Sequence, residues 1–140
     1  MKSVLISVIG TVGGCIAAAL GGWDAAIIAL LSFMAIDYVT GFVVALVFHK
    51  SNKSASGGLE SRAGLKGLCK KCMVLLLVVV ANLLDQQMGA TYIRDAVCIA
   101  FMANELLSIV ENASLMGLPI PKVITKALDV LNAKHDQEVE

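Results

Sequence analysis

The sequence predicts an all-α integral membrane protein, with about four transmembrane helices followed by a C-terminal amphipathic helix. Three observations carry that reading. Apolar residues make up 58% of the 140-residue chain and charged residues only 16%, against roughly 45–50% and about 25% in soluble domains. The apolar residues gather in long runs. Six of the eleven basic residues, Lys50, Lys53, Arg62, Lys66, Lys70 and Lys71, share one stretch between those runs with a single acid, Glu60. Lys and Arg beside membrane helices stay on the cytoplasmic side, so this cluster sets both the crossings and the orientation.

The first run, Val4–Leu20, is just long enough to span once Gly21 and Gly22 are added. Lys2 and the small Ala17-Ala18-Ala19 also fit a cleavable leader, but we read a retained helix. Gly10, Gly14, Ala18 and Gly22 recur at every fourth position. They form a face with almost no side chain, and in lipid such close backbone approach is a main source of helix association.

The second run, Ala25–Phe48, is the longest and holds one acid, Asp37. Trp23 and Asp24 mark its outer end, His49 and Lys50 its inner end, as interfacial aromatics and cytoplasmic cations should. A flexible basic loop with many Ser, Asn and Gly residues follows within 49–71. Its glycines do not follow the phosphate-loop order GxxxxGK[ST], and no strand precedes them.

The third run, Cys72–Leu84, is predominantly apolar for thirteen residues only. To span, it must borrow Leu65–Lys71 or Asp85–Ala90, with Lys70 and Lys71 reaching toward the headgroups. A polar turn with Asp85, Gln86, Gln87, Arg94 and Asp95 leads to the fourth run, Ala96–Val110, which carries Asn104, Glu105 and Ser108. A tilted or re-entrant hairpin is the alternative for runs three and four.

Pro119 and Pro121 break the chain and suit the start of a new helix. Ile120, Val123, Ile124, Ala127, Leu128 and Leu131 then recur at i, i+3, i+4 spacing, opposite Lys122, Lys126 and Asp129. This predicts an amphipathic helix on the lipid surface or on the protein's own cytoplasmic face. The polar end, His135–Glu140, is expected to fray. The organisation is therefore a transmembrane domain over 1–118 with a cytoplasmic basic loop at 49–71, then a cytoplasmic helix and tail over 119–140. Every loop agrees with one orientation: four crossings and both termini cytoplasmic.

Asp37 is the most informative single residue, because an ionised carboxylate at mid-depth must face a bundle interior, water or a partner. Thr40 and Gly41 share its face. Asn104, Glu105, Ser108, Glu111 and Asn112 form a polar stripe that lipid cannot satisfy. For Glu111 and Asn112, a solvated helix end is the simpler reading. A pore lining, a contact between subunits and a neutral buried network all remain open for Asp37.

Other chemistries find little support. The net formal charge is zero and aromatics are 5%, which gives no footing for nucleic acid. Cys69-Lys-Lys-Cys72 has CxxC spacing, but no second pair completes a metal site, and His49 is the nearest further ligand. We expect no metal and no cofactor. No HExxH or GxSxG occurs, and His49 and His135 have no nucleophile beside them, so no catalytic residues are assigned.

Two passages resemble the bacteriophage holin family, the toxin secretion/phage lysis holins. Residues 36–71 match its Asp-x-x-Thr-Gly helix, Ser-rich loop and Gly-x-x-Gly-x-x-x-Lys run. Residues 103–131 resemble its Asn-Glu-Leu-x-Ser-x-x-Glu-Asn segment and amphipathic close. The resemblance marks Asp37, Thr40, Gly41, Ser56, Gly64, Gly67, Lys71, Asn104, Glu105, Ser108, Glu111, Asn112, Gly117 and Pro121. It implies a homo-oligomer in the bacterial inner membrane that opens to release a cytoplasmic endolysin or a toxin.

On physical grounds, Asp37, Thr40, Asn104, Glu105, Ser108 and Asn112 are the expected pore-lining or inter-helix polar groups. Gly10, Gly14, Ala18, Gly22 and Gly41 are the expected packing positions, and the six basic residues the expected lipid anchors. A small ion channel or transporter with mid-membrane carboxylates, and a non-conducting scaffold, are the competing classes.

Overall fold

A computed structural model describes residues 1–139, except for the side-chain surroundings of 132, 135, 138 and 139. Among them are helices α1 (Lys2–Ala19), α2 (Ala25–Val43), α3 (Ser61–Met88), α4 (Ile93–Leu115) and α5 (Lys122–Val139), and no strand. A π-helical turn, Val44–Phe48, prolongs α2, so the second apolar run is one continuous rod. Glu140 lies outside the described residues, and the polar end expected to fray from His135 is helical as far as Val139.

Helix ends follow local chemistry. Asp24 accepts the Ile27 N–H at 3.0 Å and so starts α2. Gly89, left-handed at φ 64°, closes α3. Helix α4 starts after Tyr92, which gives it no side-chain cap. Asp85, at the end of α3, fills the gap by accepting the Ile93 and Arg94 N–H groups at 3.0 and 2.9 Å.

Three helices are long and apolar enough to cross a membrane: α1, α2 with its π turn, and α3. The fourth predicted span is not among them. Helix α4 has the length at 23 residues, but it carries Arg94, Asp95, Glu105 and Glu111. Its position explains how a helix with these charges fits the bundle: α4 lies against both α2 and α3, which themselves touch little. The residues it buries include Arg94, Cys98, Met102, Glu105 and Asn112. The core of Ile27, Leu30, Met34, Val78, Cys98 and Met102 lies where the three helices meet.

Helix α1 stands apart. Ala17 is its one buried residue, and Leu20, just beyond its end, joins the core. Helix α5 folds back on α4. Ile120, Leu128 and Leu131 are half-buried, whereas Val123 and Val130 stay exposed.

The basic stretch needs a correction. Only residues 49–60 are irregular, and Arg62, Lys66, Lys70 and Lys71 are on the first turns of α3. Gly64 and Gly67, which read as loop residues, lie within α3 beside Tyr38 of α2. A Cβ at Gly64 would stand 3.6 Å from the Tyr38 hydroxyl and one at Gly67 3.9 Å from its ring, both ordinary contacts.

Candidate functional site

The bundle holds two polar clusters. The first forms around Asp37, roughly 18 Å along α2 at about 1.5 Å per residue. The side chain is almost fully enclosed, with the residue 5% exposed. Lys71 donates to Asp37 Oδ2 at 2.8 Å and also pairs with Glu105 on α4. Asn112 Nδ2 reaches Asp37 Oδ1 at 3.1 Å, the Asp37 carbonyl at 3.3 Å and Thr40 Oγ1 at 2.9 Å. Thr40 in turn donates back to the Ile36 carbonyl at 2.8 Å. Lys53, from the loop, comes within 3.5 Å of Asp37 Oδ1. Charges from α2, α3, α4 and the loop thus meet at one point.

Helical geometry explains which residues of the predicted stripe take part. Glu105 and Asn112 are seven apart, two turns on one face, and both are buried. Asn104 and Glu111 point out and are exposed, and Ser108 is half-buried. The stripe therefore divides, and Asn112, which read more simply as a solvated end, is 3% exposed. Gly41 belongs with the cluster: a Cβ there would stand 3.7 Å from Asn112 Nδ2 and 3.9 Å from Lys53 Nζ.

Lys71 differs most from expectation. As a lipid anchor it would extend toward headgroups, yet its ammonium is turned inward between two carboxylates and its side chain is 14% exposed. Two buried acids attract the one cation that α3 can offer at that depth. Lys50, Arg62, Lys66 and Lys70 are exposed, as an anchoring role requires. Gly10, Gly14 and Ala18 are also exposed, and nothing lies within 4 Å of a Cβ built at Gly10, Gly14 or Gly22. Gly22 lies past the end of α1, left-handed at φ 108°, so the small face of α1 is Gly10, Gly14 and Ala18, and it is open in a single chain.

The second cluster joins the α1–α2 and α3–α4 turns. Arg94, buried, binds Asp24 through both terminal nitrogens, at 2.8 Å to Oδ2 and 3.1 Å to Oδ1. It also donates to Asp95 at 3.0 Å and, through Nε, to the Leu20 carbonyl at 2.6 Å. Asn82 donates to the Ala19 carbonyl at 3.1 Å. These two bonds satisfy carbonyls left open at the end of α1. The Arg94 hydrogen bonds hold the Asp24 carboxyl below its usual value, with the Ile27 N–H adding to the effect and burial opposing it. The sequence showed Asp24, Asp85, Arg94 and Asp95 as turn residues, and no spacing rule links Asp24 to a residue seventy positions away.

The loop itself is folded. Ser51 N–H bonds the Gly57 carbonyl at 2.8 Å. Glu60 Oε1 accepts Ser56 Oγ at 2.7 Å and Ser56 N–H at 3.0 Å, which holds that carboxyl below its usual range. Cys15, Cys69, Cys72 and Cys98 are free thiols. Among the described residues, no group of three or more His, Cys, Asp or Glu side chains is placed to hold a metal ion.

These features define a helical membrane protein whose interior is fastened by ion pairs between its helices. The chain belongs to the bacteriophage holin family, which it matches over residues 14–133. A protein named a probable holin, from Bacillus phage phi105, is 36% identical over 106 residues, 75% of this chain and 73% of that one. An uncharacterized protein of Clostridium perfringens is 37% identical over 118 residues, covering 83% and 82% of the two chains. One of Listeria innocua is 34% identical over 121 residues, covering 86% and 81%. No solved structure matches the chain.

Proposed function

We propose that this chain acts as a holin. Copies assemble in the bacterial cytoplasmic membrane and open a lesion through which an endolysin, or a toxin, leaves the cell. The observation that carries the reading is the family match over 14–133, together with the relative named a probable holin. The packing adds a physical reason for assembly. Ile27, Leu30, Val78 and Cys98 are fully enclosed where the helices meet, so one copy has no passage through its middle, and a protein-sized opening needs many copies.

In this reading α1 to α4 cross the membrane with both termini in the cytoplasm, and α4 crosses between α2 and α3. Lys50, Arg62, Lys66 and Lys70 anchor the inner leaflet. The open face of Gly10, Gly14 and Ala18 on α1 serves contacts between copies. Asp37, Thr40, Glu105 and Asn112 are held inside each copy until assembly, when they become available to line the lesion. No catalytic step is part of the function.

The test is a bacterial culture expressing this chain together with a cytoplasmic peptidoglycan hydrolase that has no export signal. Abrupt lysis that needs both proteins, with enzyme released to the medium, is the expected result, and Asp37→Ala and Glu105→Ala should shift its timing. Depolarisation with the hydrolase retained would instead mean a small-ion channel. Intact cells without leakage would mean a scaffold.

A further inference from the structure

Without the loop, the buried cluster does not balance its own charge. Asp37 and Glu105 bring two carboxylates, and Lys71 serves both with one ammonium. The remaining negative charge faces a cleft of about 90 Å³ between the C-terminal half of α2 and the first turns of α3. Small residues keep that cleft open, since Gly41, Ala45, Ala63, Gly64 and Gly67 all line it.

The irregular segment 49–60 contributes the third wall, and Lys53 reaches from it to Asp37 with half of its own side chain in solvent. His49, left-handed at φ 52°, turns the chain back from the π-helical end of α2. The Ser51–Gly57 and Ser56–Glu60 hydrogen bonds then hold the segment in a compact form above the cleft.

We propose that segment 49–60 is a lid over the Asp37 cleft, that Lys53 is its latch, and that lifting it frees Asp37 for assembly. As a control on opening, this rests on the holin reading; as a movement of the chain, it does not. The two cations on Asp37 differ in what they can do. Lys71 belongs to a 28-residue helix and also holds Glu105, so withdrawing it means moving α3. Lys53 belongs to a short segment, and its one ion pair among the described residues is with Asp37. When it lifts, water and small cytoplasmic cations reach a carboxylate that no longer has its full counter-charge. A second copy can then supply that charge.

Gly41 offers the reporter, because a Cβ there meets only Asn112 Nδ2 and Lys53 Nζ, both at ordinary contact distance. The Gly41→Cys chain, with Cys15, Cys69, Cys72 and Cys98 replaced by Ala, is reconstituted in lipid nanodiscs. It is then treated with methyl methanethiosulfonate, which is small and uncharged, so that loss of the Lys53 charge does not by itself attract the reagent. Lys53→Gln should speed modification roughly fivefold, the population change available to a half-exposed ion pair. Lys53→Arg should keep the parent rate. Lys50→Gln, which removes the same charge from the same segment outside the cleft, should keep it too. Equal rates for Lys53→Gln and the parent would overturn the lid, as would equal acceleration by Lys50→Gln. In the lysis culture, Lys53→Gln should bring lysis forward and Lys53→Arg should not. An unchanged lysis time with faster modification would leave the lid without a role in opening, and overturn the control.

Discussion

Lys71 and Asp37, 34 residues apart in the chain, meet at 2.8 Å inside the bundle, and the same ammonium pairs with Glu105 a further 34 residues on. One lysine therefore ties α2, α3 and α4 together. Removing it leaves two enclosed carboxylates without their shared cation. Lys71→Met should destabilise the folded chain by about 3–5 kcal/mol, the range for breaking a buried pair. The neutral triple variant Asp37→Asn, Lys71→Met, Glu105→Gln should recover most of that loss. Thermal unfolding in detergent micelles measures both. Equal loss in the single and triple variants would assign the cost to packing and not to charge.

Asn112 is the neutral part of the same lock. Its amide reaches Asp37 twice and Thr40 once, so Asn112→Leu leaves an enclosed carboxylate and a hydroxyl short of a donor. The expected cost is about 1–3 kcal/mol. Asn104→Leu, on the exposed side of α4, should change stability by less than about 0.5 kcal/mol. The same unfolding experiment compares them, and similar losses would mean that side-chain identity on α4 matters more than the face it occupies.

The Arg94–Asp24 pair gives a dependence on pH. Because the native Asp24 carboxyl titrates below its ordinary value of 3.8, the pair's contribution is fully present above that value. It is lost as pH falls through the lower native one. Asp24 is half-exposed, so screening keeps the effect to about 0.2–1 kcal/mol. Between pH ~5 and pH ~2, the wild-type melting temperature should fall more steeply than that of Asp24→Asn, which lacks the titrating group. Parallel curves would show that the pair adds nothing to stability.

The helices were legible in the sequence because hydropathy and turn chemistry are local. The run Ala25–Phe48 matches α2 and its π turn residue for residue, and Asp37 stood out as a lone acid among apolar neighbours. The partners were not legible. A lysine next to a basic loop looks like a lipid anchor, and only the packing of α4 on α2 and α3 shows that Lys71 has two acids within reach. The same limit hid the clasp between Asp24 and Arg94 and put α3's first turns into the loop. Gly64 and Gly67 signal flexibility locally, yet both lie inside α3 beside Tyr38.

The glycines of the first turn and first helix separate folding from assembly. Gly21 is left-handed at φ +86°, and a Cβ there would lie 2.6 Å from Arg94 Nε and 2.7 Å from Asn82 Oδ1. Gly21→Ala must therefore strain the backbone and push aside both groups that cap α1, at a cost of about 1–3 kcal/mol. Gly10→Leu and Gly14→Leu meet no neighbour within a single chain, so the melting temperature of the monomer in detergent should stay where it is. In a membrane, where close backbone approach drives helix association, the same two variants should lose crosslinked oligomers and delay lysis. If Gly10→Leu and Gly14→Leu assemble and lyse like wild type, the small face of α1 is turned to lipid, and the contact between copies lies on another helix.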